Sequence, residues 1–139
     1  MRALLLLLFT LIGMSAAHAV TLDLYLGADL YQGPPHFQAI ADGKVVIEGD
    51  VGEAKGEHFQ VKLPTAPKTL SIGFTNDAAA PDSRPGNKKD RNLVVKSVTL
   101  DGHTWSGAEL RPRRHCEVRG TDYVMCVNAR IVVPLSGRQ

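Results

Sequence analysis

The residues best placed to do chemistry are Asp77 and Asp90, which flank the twelve residues from Ala78 to Lys89. Converging carboxylates repel, and a shared proton, a neighbouring arginine or a bound cation relieves the repulsion. Carboxylate and carbonyl oxygens are hard ligands that suit Ca2+, an ion taking about 6 to 8 oxygens in irregular loops. Two strand-like runs must position the pair. Thr69-Leu-Ser-Ile-Gly-Phe74 alternates polar and apolar residues, and Leu93-Val-Val-Lys-Ser-Val-Thr-Leu100 is β-branched and half apolar. If these strands neighbour each other in one sheet, Asp77 closes the first, Asp90 opens the second, and their carboxylates meet at the loop mouth. The same loop also reads as a plain solvated connection, because Asp82, Pro85, Gly86 and Asn87 are turn formers in their own right. The spacing matches no EF-hand or other self-contained metal motif.

The remaining chain sets the compartment. Met1-Arg2 is a short basic start, Ala3 to Ile12 is an apolar run, and Ala17-His18-Ala19 is a small-x-small cleavage signature. These predict a signal peptide over residues 1–19 and a secreted or periplasmic mature domain over 20–139. The apolar run is shorter than the roughly 20 residues of a membrane span, and no second one follows. The formal net charge is +2, with Arg2 inside the leader. A near-neutral domain lacks the basic face of a nucleic-acid binder. The one local exception is Arg111-Pro-Arg-Arg114 with Arg119, read as a solvated edge loop or an anionic-polymer site. Two cysteines in an exported chain predict a bridge, Cys116–Cys126, stapling a hairpin whose turn is Gly120-Thr-Asp122.

After residue 19 no stretch has helical periodicity. Val20-Thr-Leu-Asp-Leu-Tyr-Leu26 is a period-two strand with its leucines on one face and Tyr25 on the other. His36-Phe-Gln-Ala-Ile40 and Lys44-Val-Val-Ile-Glu48 form a hairpin through Asp42-Gly43. Glu57–Leu63 alternates again, a second Asp-Gly turn falls at Asp101-Gly102, and strand-like residues recur near Trp105, at 123–127 and at 129–133. Short strands between Gly and Pro turns predict an all-β fold, a single β-sandwich. Trp105, the single tryptophan, reads as a core plug. Tyr31, in a turn beside Gly33-Pro-Pro-His36, is the better candidate for stacking on a sugar ring, and His36 for a hydrogen bond to a ligand.

Several blocks, in order, resemble the calcium-dependent xylan-binding modules, carbohydrate-binding module families 36 and 60. They are Gly33-Pro-Pro-His-Phe-Gln-Ala-Ile-Ala-Asp-Gly43, Phe74-Thr-Asn-Asp77, Asp90-Arg-Asn-Leu-Val-Val95 and Val98-Thr-Leu-Asp-Gly102. The resemblance implies a jelly-roll sandwich in which Ca2+ at a loop tip binds vicinal sugar hydroxyls. It implies Asp77 and Asp90 as calcium ligands with the backbone carbonyl of Lys89. Tyr31, His36, Asp77, Asp90 and Asn92 are together the expected carbohydrate contacts. The chain departs from the pattern where Ala78-Ala-Ala80 replaces bulkier residues and Pro81–Lys89 lengthens the loop. The leading expectation is therefore a monomeric, non-catalytic module for xylan or a related polysaccharide, using Ca2+ and having no catalytic residues. The alternative is an envelope structural or interaction domain that binds a protein or anionic polymer without calcium. A hydrolase built on Glu48, Asp50, Glu53 and Glu57 is the third reading, and the short chain leaves it little room for a deep cleft.

Overall fold

The computed structural model describes residues 17–82, 89–110 and 117–136. Most of the expected leader, part of the long loop, Arg111–Arg114 and Cys116 lie outside the described residues, so the expected Cys116–Cys126 bridge does as well. The elements in chain order are β1 (Val20–Asp29), β2 (His36–Ala41), β3 (Lys44–Asp50), β4 (Glu57–Leu63), β5 (Leu70–Phe74) and β6 (Ala78–Ala79). These are followed by β7 (Asp90–Leu100), β8 (His103–Ser106), a single 3-10 turn (Gly107–Leu110), β9 (Glu117–Arg119), β10 (Asp122–Met125) and β11 (Ala129–Val132). Among the described residues no helix is long and apolar enough to cross a membrane.

Two antiparallel sheets face each other, as expected of a β-sandwich. The first runs β4-β1-β7-β10-β9, and the second runs β11-β5-β2-β3. Strand β1 lies along one edge of β7, while the other edge is shared by β6 at its start, β10 in its middle and β8 at its end. Period-two patterning places Val20, Leu22, Leu24, Leu26 and Ala28 of β1 in the core against Phe37 and Ala39 of β2 and Leu70, Ile72 and Phe74 of β5. Each fully buried Leu, Ile or Phe contributes about 1.5–3 kcal/mol relative to exposure. Trp105 is buried in the same cluster, as a core plug should be.

Strand β7 breaks its own alternation. Tyr25 faces Ser97 but Leu26 faces Val95, so Lys96 is one residue too many, a β-bulge. Leu93 and Val95 before it, and Val98 and Leu100 after it, are all buried. Without the extra residue one of those pairs would point to solvent. Lys96 itself spans the outer face, pairing with Asp122 at 2.9 Å and lying 5.7 Å from the Tyr25 ring centroid. Both Asp-Gly pairs make the expected two-residue turns: Asp42 and Gly43 have φ of 48° and 80°, Asp101 and Gly102 of 51° and 79°.

Gly107 tests how closely the 3-10 turn is seated on β7 and β10. A Cβ built there lies 1.9 Å from the Val95 carbonyl oxygen and 2.5 Å from the Tyr123 nitrogen, both backbone atoms, whereas at Gly52 it meets nothing within 4 Å. Gly107→Ala is expected to cost about 3 kcal/mol, near the upper end for overpacking. In a domain of this size that lowers the melting temperature by roughly 10 °C. Gly52→Ala, measured in the same thermal scans, should leave it unchanged; equal melting temperatures for the two variants would refute the tight seating.

Candidate functional site

The sequence expectation that Asp77 and Asp90 sit on neighbouring strands of one sheet is corrected by the topology. Strand β5 belongs to the second sheet and β7 to the first, and β5 ends at Phe74, three residues before Asp77. The chain crosses between sheets over Thr75–Asp77, and the two-residue strand β6 then brings it back to the start of β7. There Ala78 pairs with Arg91 and Ala79 with Asp90. One step further along that register, Asp77 lies across from Asn92. Alternation puts Asp90 and Asn92 on the same face of β7 as Asp77, at separations where side chains interact directly or diagonally. The outcome is three oxygens, Asp77 Oδ1, Asp90 Oδ1 and Asn92 Oδ1, each buried and without a hydrogen-bond partner among the described residues. Buried acceptors are nearly always satisfied, and three orphans on one strand face point to a missing cationic or donor partner.

Neighbouring polar residues fix this arrangement. The Asn76 side-chain oxygen accepts the His36 amide at 2.6 Å, and its Nδ2 donates to the Pro34 carbonyl at 3.0 Å. The Asp77 amide donates to Asn128 Oδ1 at 2.7 Å, which joins the loop to the approach of β11. Arg91, on the opposite face of β7 from Asp90 and Asn92, donates to the carbonyls of Tyr31 (3.0 Å), Gly33 (3.2 Å) and Asn76 (2.6 Å), and to that of Gln32. Three successive carbonyls reach one guanidinium because Gln32 and Gly33 both take positive φ, 53° and 107°. The planar five-donor fork of arginine thereby ties the Tyr31 loop to the Asp77 crossing.

The electrostatics follow from this confinement. The Asp77 carboxyl is pushed above its ordinary range, first by burial and next by the neighbouring charge of Asp90; the Ala78 amide and Arg91 pull it back by less. The other sequence-predicted residues divide. The Lys89 carbonyl accepts the Ala80 amide at 2.9 Å, leaving its second lone pair, while its ammonium pairs with Asp82 at 3.2 Å in solvent. Tyr31 is half-buried, and its hydroxyl accepts from Gln32 Nε2 at 3.2 Å. The His36 ring is turned to β3, with Nδ1 2.7 Å from Asp50 and Nε2 3.8 Å from Glu48. The carboxylates weighed for hydrolysis are engaged locally: Glu48 accepts Gln38 at 2.8 Å and Glu57 caps the Gly52 and Glu53 amides at 2.8 and 3.3 Å. Sequence reasoning missed Asn76, Arg91 and Asn128. Asn76 and Asn128 look like ordinary turn residues, and Arg91 carries no signal apart from its place between Asp90 and Asn92.

Comparison with known proteins decides the family. A family model described as the calcium-dependent, xylan-binding carbohydrate-binding module CBM60 matches residues 21–110. The chain belongs to carbohydrate-binding module family 60. Two solved structures share the fold of this family-60 module. One is the selenomethionine form of vCBM60, from work describing circular permutation as a link between two families of calcium-dependent carbohydrate binding modules. It has 13% identity, a TM-score of 0.61, and coverage of 81% of this chain and 88% of that one. The other is vCBM60 in complex with galactobiose, with 14% identity, a TM-score of 0.59, and coverage of 81% and 95%. No curated protein matches the chain. Family membership makes this a carbohydrate-binding module with a polysaccharide partner.

The raised Asp77 carboxyl has a stability signature. Its native pKa exceeds the unfolded value near 3.8, so the native state binds more protons in the window just above that pH. Metal-free stability therefore falls as pH rises through the window and stays at the lower level beyond it. In chelator, thermal unfolding against pH should show this decline, and Asp77→Asn should remove it and melt higher at neutral pH. Parallel profiles for the two proteins would mean that the Asp77 carboxyl is not raised by burial and by Asp90.

Proposed function

We propose that this family-60 module is an exported calcium-dependent binder of xylan or a related polysaccharide, with the ion held by Asp77, Asp90 and the Lys89 carbonyl. The observation that carries the reading is the set of unpartnered, buried oxygens gathered on one face at the start of β7. Two neighbouring carboxylates, each with one buried oxygen that has no hydrogen-bond donor among the described residues, fit a hard divalent cation. Among the described residues no group of three or more histidine, cysteine, aspartate or glutamate side chains is gathered for a metal. A carboxylate and carbonyl donor set of this kind suits calcium better than a softer transition metal.

When bound, calcium supplies coordination positions that two adjacent equatorial hydroxyls of a pyranose can take in place of water. The protein's part is to hold both carboxylates in register, through β6, and to fix the loop beside them, through Asn76 and Arg91. Tyr31, on the loop clamped by Arg91, remains the ring for stacking on the sugar, and His36 serves the β2–β3 surface instead. Recognition of a diol rather than a whole sugar predicts tolerance among xylose, glucose and galactose polymers. Residues 1–19 are the export signal and 20–139 the monomeric domain. A Cys116–Cys126 bridge suits that compartment.

Retention on immobilised xylan, with Ca2+ and with chelator, tests the reading. Asp77→Ala and Asp90→Ala should each abolish retention while the protein still unfolds cooperatively. Calcium at a hundredfold excess over its dissociation constant should stabilise the native protein by about 2.7 kcal/mol, and xylan oligosaccharides should add to this only when calcium is present. Retention unaffected by chelator would overturn the proposal.

A further inference from the structure

Beyond the matched residues 21–110, β9 contributes a side chain that reaches the site indirectly. Arg119 Nη1 donates to both oxygens of Asp29, at 3.0 and 2.9 Å, and its Nε holds Glu117 at 2.9 Å. Asp29, at the end of β1, pairs in register with Asn92 of β7 and accepts Asn92 Nδ2 at 2.9 Å through Oδ2. An amide flipped the other way would set its oxygen against the Asp29 carboxylate, so this contact fixes which end of the Asn92 side chain faces Asp29. The other end, Oδ1, is left buried and without a partner on a residue only 5% exposed, at the register position across from Asp77.

We propose that Arg119 and Asp29 form a positioning relay that presents the Asn92 oxygen beside Asp77 and Asp90 as a third side-chain oxygen for the cation. This rests on the calcium reading above and adds to it. Asn92 is then a ligand-bearing residue rather than a sugar contact, and Arg119 is a positive charge that improves cation binding by holding Asp29 in place. Arrangements of this kind, in which an outer residue orients a ligand, typically change metal affinity about 10- to 100-fold when removed.

Simple electrostatics and positioning make opposite predictions for Arg119. Removing a cation from the neighbourhood of a bound cation should tighten binding, whereas losing the relay should weaken it. Calcium titration calorimetry on the full mature chain distinguishes them. Arg119→Gln and Asp29→Asn are each expected to weaken Ca2+ about tenfold or more. The double variant should be little worse than either single one, because both remove one relay. Asn92→Leu should weaken Ca2+ at least as much as either. Arg119→Lys, which keeps the charge but not the fork, should recover part of the loss. Melting temperatures in chelator serve as the readout of a merely structural role, and the Arg119 variants should stay within a few degrees of the parent. Arg119→Gln binding Ca2+ as tightly as the parent or more so, or Asn92→Leu binding it unchanged, would overturn the relay while leaving the Asp77–Asp90 reading intact. A parent protein that binds no Ca2+ would instead remove both.

Discussion

The pairing of Ala78–Ala79 with Asp90–Arg91 is the constraint on which the site depends, because it holds two carboxylates together against their repulsion. Two backbone pairs are a weak clamp by themselves; an isolated two-stranded ribbon is marginal in water. The clamp persists because its surroundings leave the chain no other path. Asn76 anchors the crossing to β2, Asn128 holds the Asp77 amide from the other side, and Arg91 fastens the Tyr31 loop to the same point. Each of these contacts uses neutral groups or a cation, so none neutralises the buried Asp77 and Asp90 oxygens directly. The loop is over-determined while one oxygen of each carboxylate has no donor among the described residues, which is the arrangement expected of a site prepared for a ligand rather than for its own stability.

That preparation depends in turn on β7. One strand supplies Asp90 and Asn92 to the outer face, Arg91 to the inner side, and Leu93, Val95, Val98 and Leu100 to the core. The bulge at Lys96 allows a single strand to serve the core along both halves, by changing its alternation midway. The site therefore occupies the end of the most heavily paired strand in the molecule. Small errors in side-chain placement are costly for cation binding, and a rigid strand limits them better than a free loop.

Much of this was legible in residue order. Alternation located nearly every strand, and both Asp-Gly turns were readable because few other pairs accept two positive φ values in succession. Asp77, Asp90 and Asn92 stood out in the sequence and in the family resemblance, and the β6–β7 register sets Asp77 at the position across from Asn92. What was not legible was the route. Nothing in Thr75-Asn-Asp77 says that the chain changes sheets there, since a two-residue strand such as β6 has too few residues to show a period. The pairing of the His36 ring with Asp50 across the β2–β3 ladder was not legible either, because it depends on register rather than on sequence proximity. Asp29, Arg91 and Arg119 stayed hidden for the same reason: their partners lie 15 to 90 positions away.

The segment after the matched family region is as much a part of the domain as the region itself. Strand β10 covers the middle of the β7 edge that β6 and β8 leave open, and β11 covers the edge of β5. Met125, Ile131 and Val133 enter the common core, and the Val133 amide donates to the Leu70 carbonyl at 2.9 Å. A chain ending at residue 110 would expose two strand edges with unpaired backbone groups and open the core from one side. It would also lose Asn128 from the Asp77 amide and Arg119 from Asp29. Folding and site assembly thus draw on the same C-terminal residues.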